Sequence, residues 1–196
     1  MSTLRVACVI PTYNGCQDLA RLLDSLEIQS APFDTLIVDS SSSDGTYELA
    51  LARCANVLRI DSRDFNHGGT RQLMVERYAD YDLYVFMTQD AYLEDAEGLA
   101  RIVAPFADPQ VGAVCGRQLP HLDASPLANH ARLFNYPPTS QVKSLADVPA
   151  LGIKTAFMSN SFSAYRREAL MQVGGFPNHV IPVSYTHLTL PTIYSV

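Results

Sequence analysis

Short apolar runs that alternate with amphipathic stretches constrain this chain more than any other feature. The runs are Val6-Ala7-Cys8-Val9-Ile10-Pro11, Leu36-Ile37-Val38-Asp39, Val57-Leu58-Arg59-Ile60, Leu83-Tyr84-Val85-Phe86-Met87 and Val111-Gly112-Ala113-Val114-Cys115. They are short, mostly unbroken by polar residues and rich in β-branched and aromatic side chains, the pattern of strands buried on both faces. Between them Leu19, Leu22, Leu23 and Leu26 recur at i, i+3, i+4, i+7, and Tyr47, Ala50, Leu51 and Cys54 repeat that spacing. Leu99, Ile102, Val103 and Phe106 mark a further helix. Strand and helix in alternation predict an α/β fold, a mostly parallel sheet with helices on both faces. At 196 residues and 47% hydrophobic composition the chain can bury one sizeable core.

In such sheets ligands bind at the carboxyl ends of the strands, so the residues there are the candidates. The run through Met87 stops at Thr88-Gln89-Asp90. A carboxylate in that position can hold Mg²⁺ or Mn²⁺ against a diphosphate, since both cations favour hard oxygen ligands; the structural alternative is that Asp90 caps a turn. Pro11-Thr12-Tyr13 offers a rigid turn and an aromatic face for a base, and Asp39 an acceptor for a pyrimidine N3–H or a ribose hydroxyl. Taken singly, Tyr13 also reads as a packed loop aromatic and Asp39 as a helix cap. Asn66-His67-Gly68-Gly69-Thr70-Arg71 opens a helix. Its glycines would let backbone approach a ligand, its helix start favours an anion, and Arg71 could pair with a phosphate. The stretch has neither the Gly-x-Gly-x-x-Gly spacing nor the Lys of a P-loop.

A net charge of -6 removes any general attraction to nucleic acid. Cys8, Cys16, Cys54 and Cys115 have no metal or redox spacing; Cys8 and Cys54 read as small core residues, in keeping with a reducing cytoplasm. No signal peptide or membrane-length apolar run is expected. After Gly116 the pattern weakens. Residues 121–150 read as a long excursion over the site, residues 157–165 as a return to the sheet, and residues 166–173 as a short helix stopped by Gly174-Gly175.

Taken together, Val9-Ile10-Pro11-Thr12-Tyr13-Asn14-Gly15, Ile37-Val38-Asp39-Ser40 and Ser43-Asp44-Gly45-Thr46 resemble the start of a family 2 glycosyltransferase of the GT-A fold. Phe65-Asn66-His67-Gly68-Gly69-Thr70-Arg71, Met87-Thr88-Gln89-Asp90-Ala91, the segment from Ser159-Asn160-Ser161 to Arg166-Arg167, and Gly174-Gly175-Phe176-Pro177 are similar to its rhamnosyltransferase branch. The resemblance covers residues 6–181 and implies inverting transfer of a sugar from a nucleotide diphosphate donor, best guessed as dTDP-rhamnose. The implied acceptor is a saccharide or a lipid-linked saccharide of surface polysaccharide synthesis. On that resemblance Pro11, Tyr13 and Asp39 hold base and ribose, and Thr12, Asn14, Asn66, Gly69, Arg71 and Gln89 complete the nucleotide-sugar-binding set. Asp90 matches the last acid of the family's Asp-x-Asp motif and binds the divalent metal, Mg²⁺ or Mn²⁺. Thr88 stands where many members carry the first acid. The enzyme is expected in the cytoplasm, with peripheral membrane association, at the inner face, through regions the chain does not contain.

Inverting transfer needs a general base. The family supplies it from an acidic motif after Gly-Gly-Phe-Pro, but here no carboxylate follows Glu168. No catalytic residue is therefore assigned, and the base is expected beyond a truncation. Residues 183–192 read as a translated sequencing-library adapter, so residues 1–182 are expected to be a truncated nucleotide-sugar-binding and catalytic domain and residues 183–196 a non-native tail. The alternative for the tail is a genuine alternating strand. Two other functions compete: a non-catalytic sugar-nucleotide-binding module, and a sugar nucleotidyltransferase. The second wants a basic loop after the first strand, and residues 12–17 contain no basic residue.

Overall fold

A computed structural model describes residues 4–120, 124–178 and 192–195. The first half is a parallel βαβ array. Strand β1 (Val6–Thr12) leads into helix α1 (Cys16–Glu27), then β2 (Asp34–Asp39), α2 (Thr46–Arg53), β3 (Asn56–Arg59), α3 (His67–Arg77) and β4 (Leu83–Met87). Then come α4 (Gly98–Val103), β5 (Ala113–Cys115), α5 (Pro126–Asn135), β6 (Gln141–Ser144), α6 (Val148–Leu151), β7 (Phe162–Arg166), α7 (Arg167–Gln172) and β8 (Thr192–Ser195). The sheet order is β3-β2-β1-β4-β7-β5-β8-β6. The first four strands in that order are mutually parallel, β7 runs antiparallel between β4 and β5, and β6 is antiparallel to β8.

Strand alternation splits the core in two. Cys8, Ile10, Leu83, Val85 and Met87 face the layer that includes α1 and α4, with Leu19, Leu22, Leu99 and Ile102. Ala7, Val9, Tyr84 and Phe86 face the other layer, with Met74 and Val75 of α3 and Leu170 of α7. Both faces are covered, which is why these strands read as unbroken apolar runs. Cys8 is fully buried, and burial pushes its thiol pKa up to about 12, as suits an inert core residue.

Three expectations change. The helix read through Phe106 breaks after Val103 into a 3₁₀ turn, Ala104–Ala107, because Pro105 cannot continue the α ladder. The fifth strand loses Val111 and Gly112. The excursion is no bare loop: its described part folds as α5, β6 and a turn capped reciprocally by Ser144 and Asp147. No helix of the described residues is long and apolar enough to cross a membrane. Of the expected tail, residues 183–191 and 196 lie outside the described residues; residues 192–195 are β8.

Candidate functional site

The chain winds from β1 through β2 to β3 on one side, then crosses to β4 on the other. The crevice between the ends of β1 and β4 is therefore the switch point of the sheet. Two loops on the β1 side are tied to each other. Asp39 is fully buried; its Oδ1 accepts from Thr12 Oγ1 at 3.1 Å and Ser42 Oγ at 2.5 Å, and its Oδ2 from the Ser42 amide at 2.9 Å. Arg59 Nε lies 3.9 Å from Oδ2. The Asn14 amide donates to Ser42 Oγ, Asn14 Oδ1 accepts from the Ser43 amide, and the Gly15 amide donates to Thr46 Oγ1. Asp44 accepts from the Cys16 amide at the start of α1, and bonds to Thr46 at the start of α2 hold its carboxyl below the usual range. Asn14 (φ 45°) and Ser41 (φ 62°) are left-handed, the kind of strain an over-determined loop sustains. Asp39 thus fastens these loops and presents no surface of its own; Oδ2, with one short bond, has the free acceptor capacity.

Beyond these ties a cavity of about 380 Å³ opens at the crevice, lined by Pro11, Thr12, Tyr13, Ser40, Arg71, Thr88 and Gln89, with Phe65 and His67 at its side. Tyr13 is 54% exposed, so the ring is free to stack rather than packed in the loop. Arg71 is 6% exposed, has no carboxylate within ion-pair reach among the described residues, and donates only to the His67 carbonyl, at 2.6 Å. Its guanidinium lies 5.9 Å from the Phe86 ring centroid, and burial lowers its pKa. Arg71 Nε and Ser40 Oγ are both buried without a partner among the described residues. A buried cation and a hydroxyl left unpaired in one cavity ask for an oxygen-rich ligand. Burial, and then the Arg71 charge, pull the His67 pKa down.

The start of α3 corrects two expectations. Asn66 caps the helix, its Oδ1 accepting from the Gly68 amide at 3.1 Å and the Gly69 amide at 2.8 Å, while its Nδ2 donates to the Asn178 carbonyl. The amides expected to cradle a phosphate are thus taken, and neither Asn66 nor Gly69 lines the cavity. Gly68 is a glycine for another reason: a Cβ there would sit 1.8 Å from the Pro177 carbonyl oxygen. Gln72 likewise accepts from the Phe176 amide. The two glycine-containing motifs therefore pack against each other.

Asp90 lines a second cavity, about 720 Å³, on the far side of β4 with Thr88, Arg101, Arg117, Arg132 and Ser161. Asp90 is exposed and lies in the turn that the Ala91 amide closes on the Thr88 carbonyl. No cluster of three or more His, Cys, Asp or Glu exists among the described residues, so a cation at Asp90 would draw its other ligands from phosphate and water. An exposed hard carboxylate beside open volume fits such an ion. Ser159 Oγ accepts from Gln118 Nε2 at 2.7 Å, Gln118 Oε1 accepts from Arg132, and Asn160 Oδ1 from Ser163 and Tyr165. The sequence reading missed Ser40, although it follows a strand-end carboxylate, and missed Arg117 and Arg132, which no local pattern brings to the site.

A family model described as glycosyl transferase family 2 matches residues 7–174. The O-antigen chain rhamnosyltransferase RfbN of Salmonella typhimurium is 51% identical over 180 residues, 91% of this chain and 57% of that protein. The O-antigen chain rhamnosyltransferase WbaN of Salmonella anatum is 46% identical over 175 residues, 88% of this chain and 56% of that protein. The chain therefore spans little more than half the length of these curated relatives. Among solved structures, the mannosyltransferase PcManGT from Pyrobaculum calidifontis, in complex with GDP-Man and Mn²⁺, matches with TM-score 0.63 at 22% identity, over 100% of this chain and 57% of that one. TarS 1–349 of S. aureus, in complex with UDP-GlcNAc, matches with TM-score 0.71 at 18% identity, over 98% and 56%. At such identities the likeness is one of fold, here the GT-A type expected from the sequence.

Proposed function

Because the chain belongs to glycosyl transferase family 2, we propose that it is the donor-binding part of an inverting glycosyltransferase. The donor is a nucleoside diphosphate sugar, dTDP-rhamnose by analogy with the two rhamnosyltransferase relatives. The acceptor is a saccharide or lipid-linked saccharide of surface polysaccharide synthesis, handled in a cytoplasm whose reducing conditions suit four free cysteines. The observation that carries this reading is the pair of orphaned buried atoms, Arg71 Nε and Ser40 Oγ, in one cavity at the switch point.

In this reading the exposed Tyr13 ring stacks on the base, Pro11 and Thr12 shape the turn beneath it, and Arg71 donates charge-assisted hydrogen bonds to the nucleotide. Asp39 acts through Thr12 and Ser42, which its carboxylate holds in place. Asp90 holds a divalent cation, which supplies neutralisation of the charge gathering on the leaving diphosphate. The larger cavity beyond Asp90 receives sugar and acceptor. Residues 1–182 are the truncated domain and residues 183–196 a foreign tail, a reading supported by the lack of any carboxylate after Glu168. Residues 192–195 lie between β5 and β6 and pair with both, through backbone hydrogen bonds that do not depend on which side chains they carry.

Calorimetric titration of dTDP-rhamnose, with GDP-mannose as competitor donor, tests the donor; saturable binding of the first alone is expected, and preference for the second would overturn the rhamnosyl assignment. If the tail is genuine, the missing carboxylate favours a second reading, a non-catalytic binding module. Donor binding without transfer, in a chain carrying its genomic C-terminal sequence, would select it.

A further inference from the structure

The ladder between β1 and β4 ends at the Val9–Phe86 pair, and the two strands run on without further pairing to Thr12 and Met87. The loops that carry Tyr13 and Asp90 are therefore not joined by strand hydrogen bonds where the ligand site opens. One side chain closes that gap. Gln89 Oε1 accepts from the Tyr13 amide at 2.8 Å, and Gln89 Nε2 donates to the Tyr13 carbonyl at 3.0 Å. Both bonds lie on one residue of the opposite loop, so the carboxamide acts as an added rung of the ladder. The amide orientation is fixed by its partners, since an N–H needs the oxygen and a C=O needs the nitrogen.

Gly15 belongs to the same device. Its φ is -143°, which any residue adopts, so conformation does not demand glycine. Space does: a Cβ there would lie 2.3 Å from Gln89 Nε2 and 2.9 Å from Oε1. The missing side chain is the slot that admits the carboxamide.

We propose that Gln89 is a positioning residue that clasps the Tyr13 loop to the Asp90 loop, and so sets the distance between the base-stacking ring and the cation-holding carboxylate. The proposal rests on the nucleotide-donor reading above. It gives Gln89 a role other than direct contact with the donor, and gives Gly15 a role that depends wholly on Gln89.

The test is a four-protein cycle: the unaltered chain, Gln89→Met, Gly15→Ala, and the two combined. The readout is dTDP affinity with Mn²⁺, measured well below each melting temperature. Each single variant should weaken binding about tenfold, and the double by about the same tenfold rather than a hundredfold, because the two hydrogen bonds that the alanine methyl would break are already gone. Multiplying losses, or no loss in Gln89→Met, would overturn the clasp. Thymidine adds a readout that packing alone would not move. It lacks the diphosphate that would reach a cation on Asp90, so Gln89→Met should weaken thymidine binding less than dTDP binding, and equal losses for the two would count against the clasp. If the unaltered chain binds no dTDP, the donor reading fails instead, and the same cycle in melting temperature decides the clasp: non-additive shifts sustain it and additive shifts overturn it.

Discussion

The two cavities flanking the end of β4 are built differently. The smaller one is walled by strand ends and by loops locked through Asp39, Ser42, Asp44 and Gln89, and it contains a buried cation with no carboxylate partner among the described residues. The larger one is walled partly by residues 116–120 and by α5, whose Leu127 and Phe134 remain exposed. The first has its loop backbone tied down by side-chain hydrogen bonds. The second has one exposed carboxylate and walls that come from distant parts of the chain. On the donor-binding proposal, recognition of the nucleotide falls where the loops are most tightly tied together, and the acceptor side falls to walls that come from distant parts of the chain.

The sharpest way to break this contrast is Arg71→Met. If the small cavity is a nucleotide site, dTDP affinity should fall by about 2–4 kcal/mol, roughly 30- to 1000-fold, as when one partner of a buried charged pair is removed. Stability in urea should hold or rise, because an uncompensated buried charge has gone. A large loss of stability with unchanged affinity would make Arg71 structural.

Gly68→Ala probes the wall shared with Pro177. The clash should destabilise the fold by about 1–3 kcal/mol by overpacking, offset in part by better helix propensity, as read from the urea midpoint. A neutral result would mean that the packing of the two motifs is loose.

Asp90→Asn addresses the larger cavity. It should remove the gain in dTDP affinity given by Mn²⁺, about tenfold or 1.4 kcal/mol, and leave metal-free binding unchanged. A metal effect that persists would move the cation elsewhere.

The smallest effect concerns His67. Its folded pKa is depressed, so the unfolded chain binds more protons as pH falls through the ordinary histidine range near 6.5. Stability from this group is therefore full above that range and is lost progressively below it. His67→Gln should flatten that part of the pH–stability curve slightly; an unchanged curve would exclude the residue.

The legibility of the sequence follows the same division. The strands of the parallel half and the carboxylates at their ends were readable because each signal is local: an apolar run, then a turn, then a polar residue. Asn66, Gly68 and Gly69 were misread because a glycine-rich helix start has the same local pattern whether it faces a phosphate or a carbonyl 109 positions away, and only the fold distinguishes them. Gln89 was placed at the site, but its bonds to Tyr13 depend on how β1 and β4 diverge. Arg117 and Arg132 carry no local signal, since the excursion reaches the site only through tertiary packing.

The most direct measurement is a crystal structure of the chain grown with dTDP and Mn²⁺. The expected density has the nucleotide in the small cavity against Tyr13 and Arg71, with Mn²⁺ on Asp90 and on the diphosphate. A nucleotide bound elsewhere, with that cavity empty at saturating dTDP, would contradict the assignment of the site.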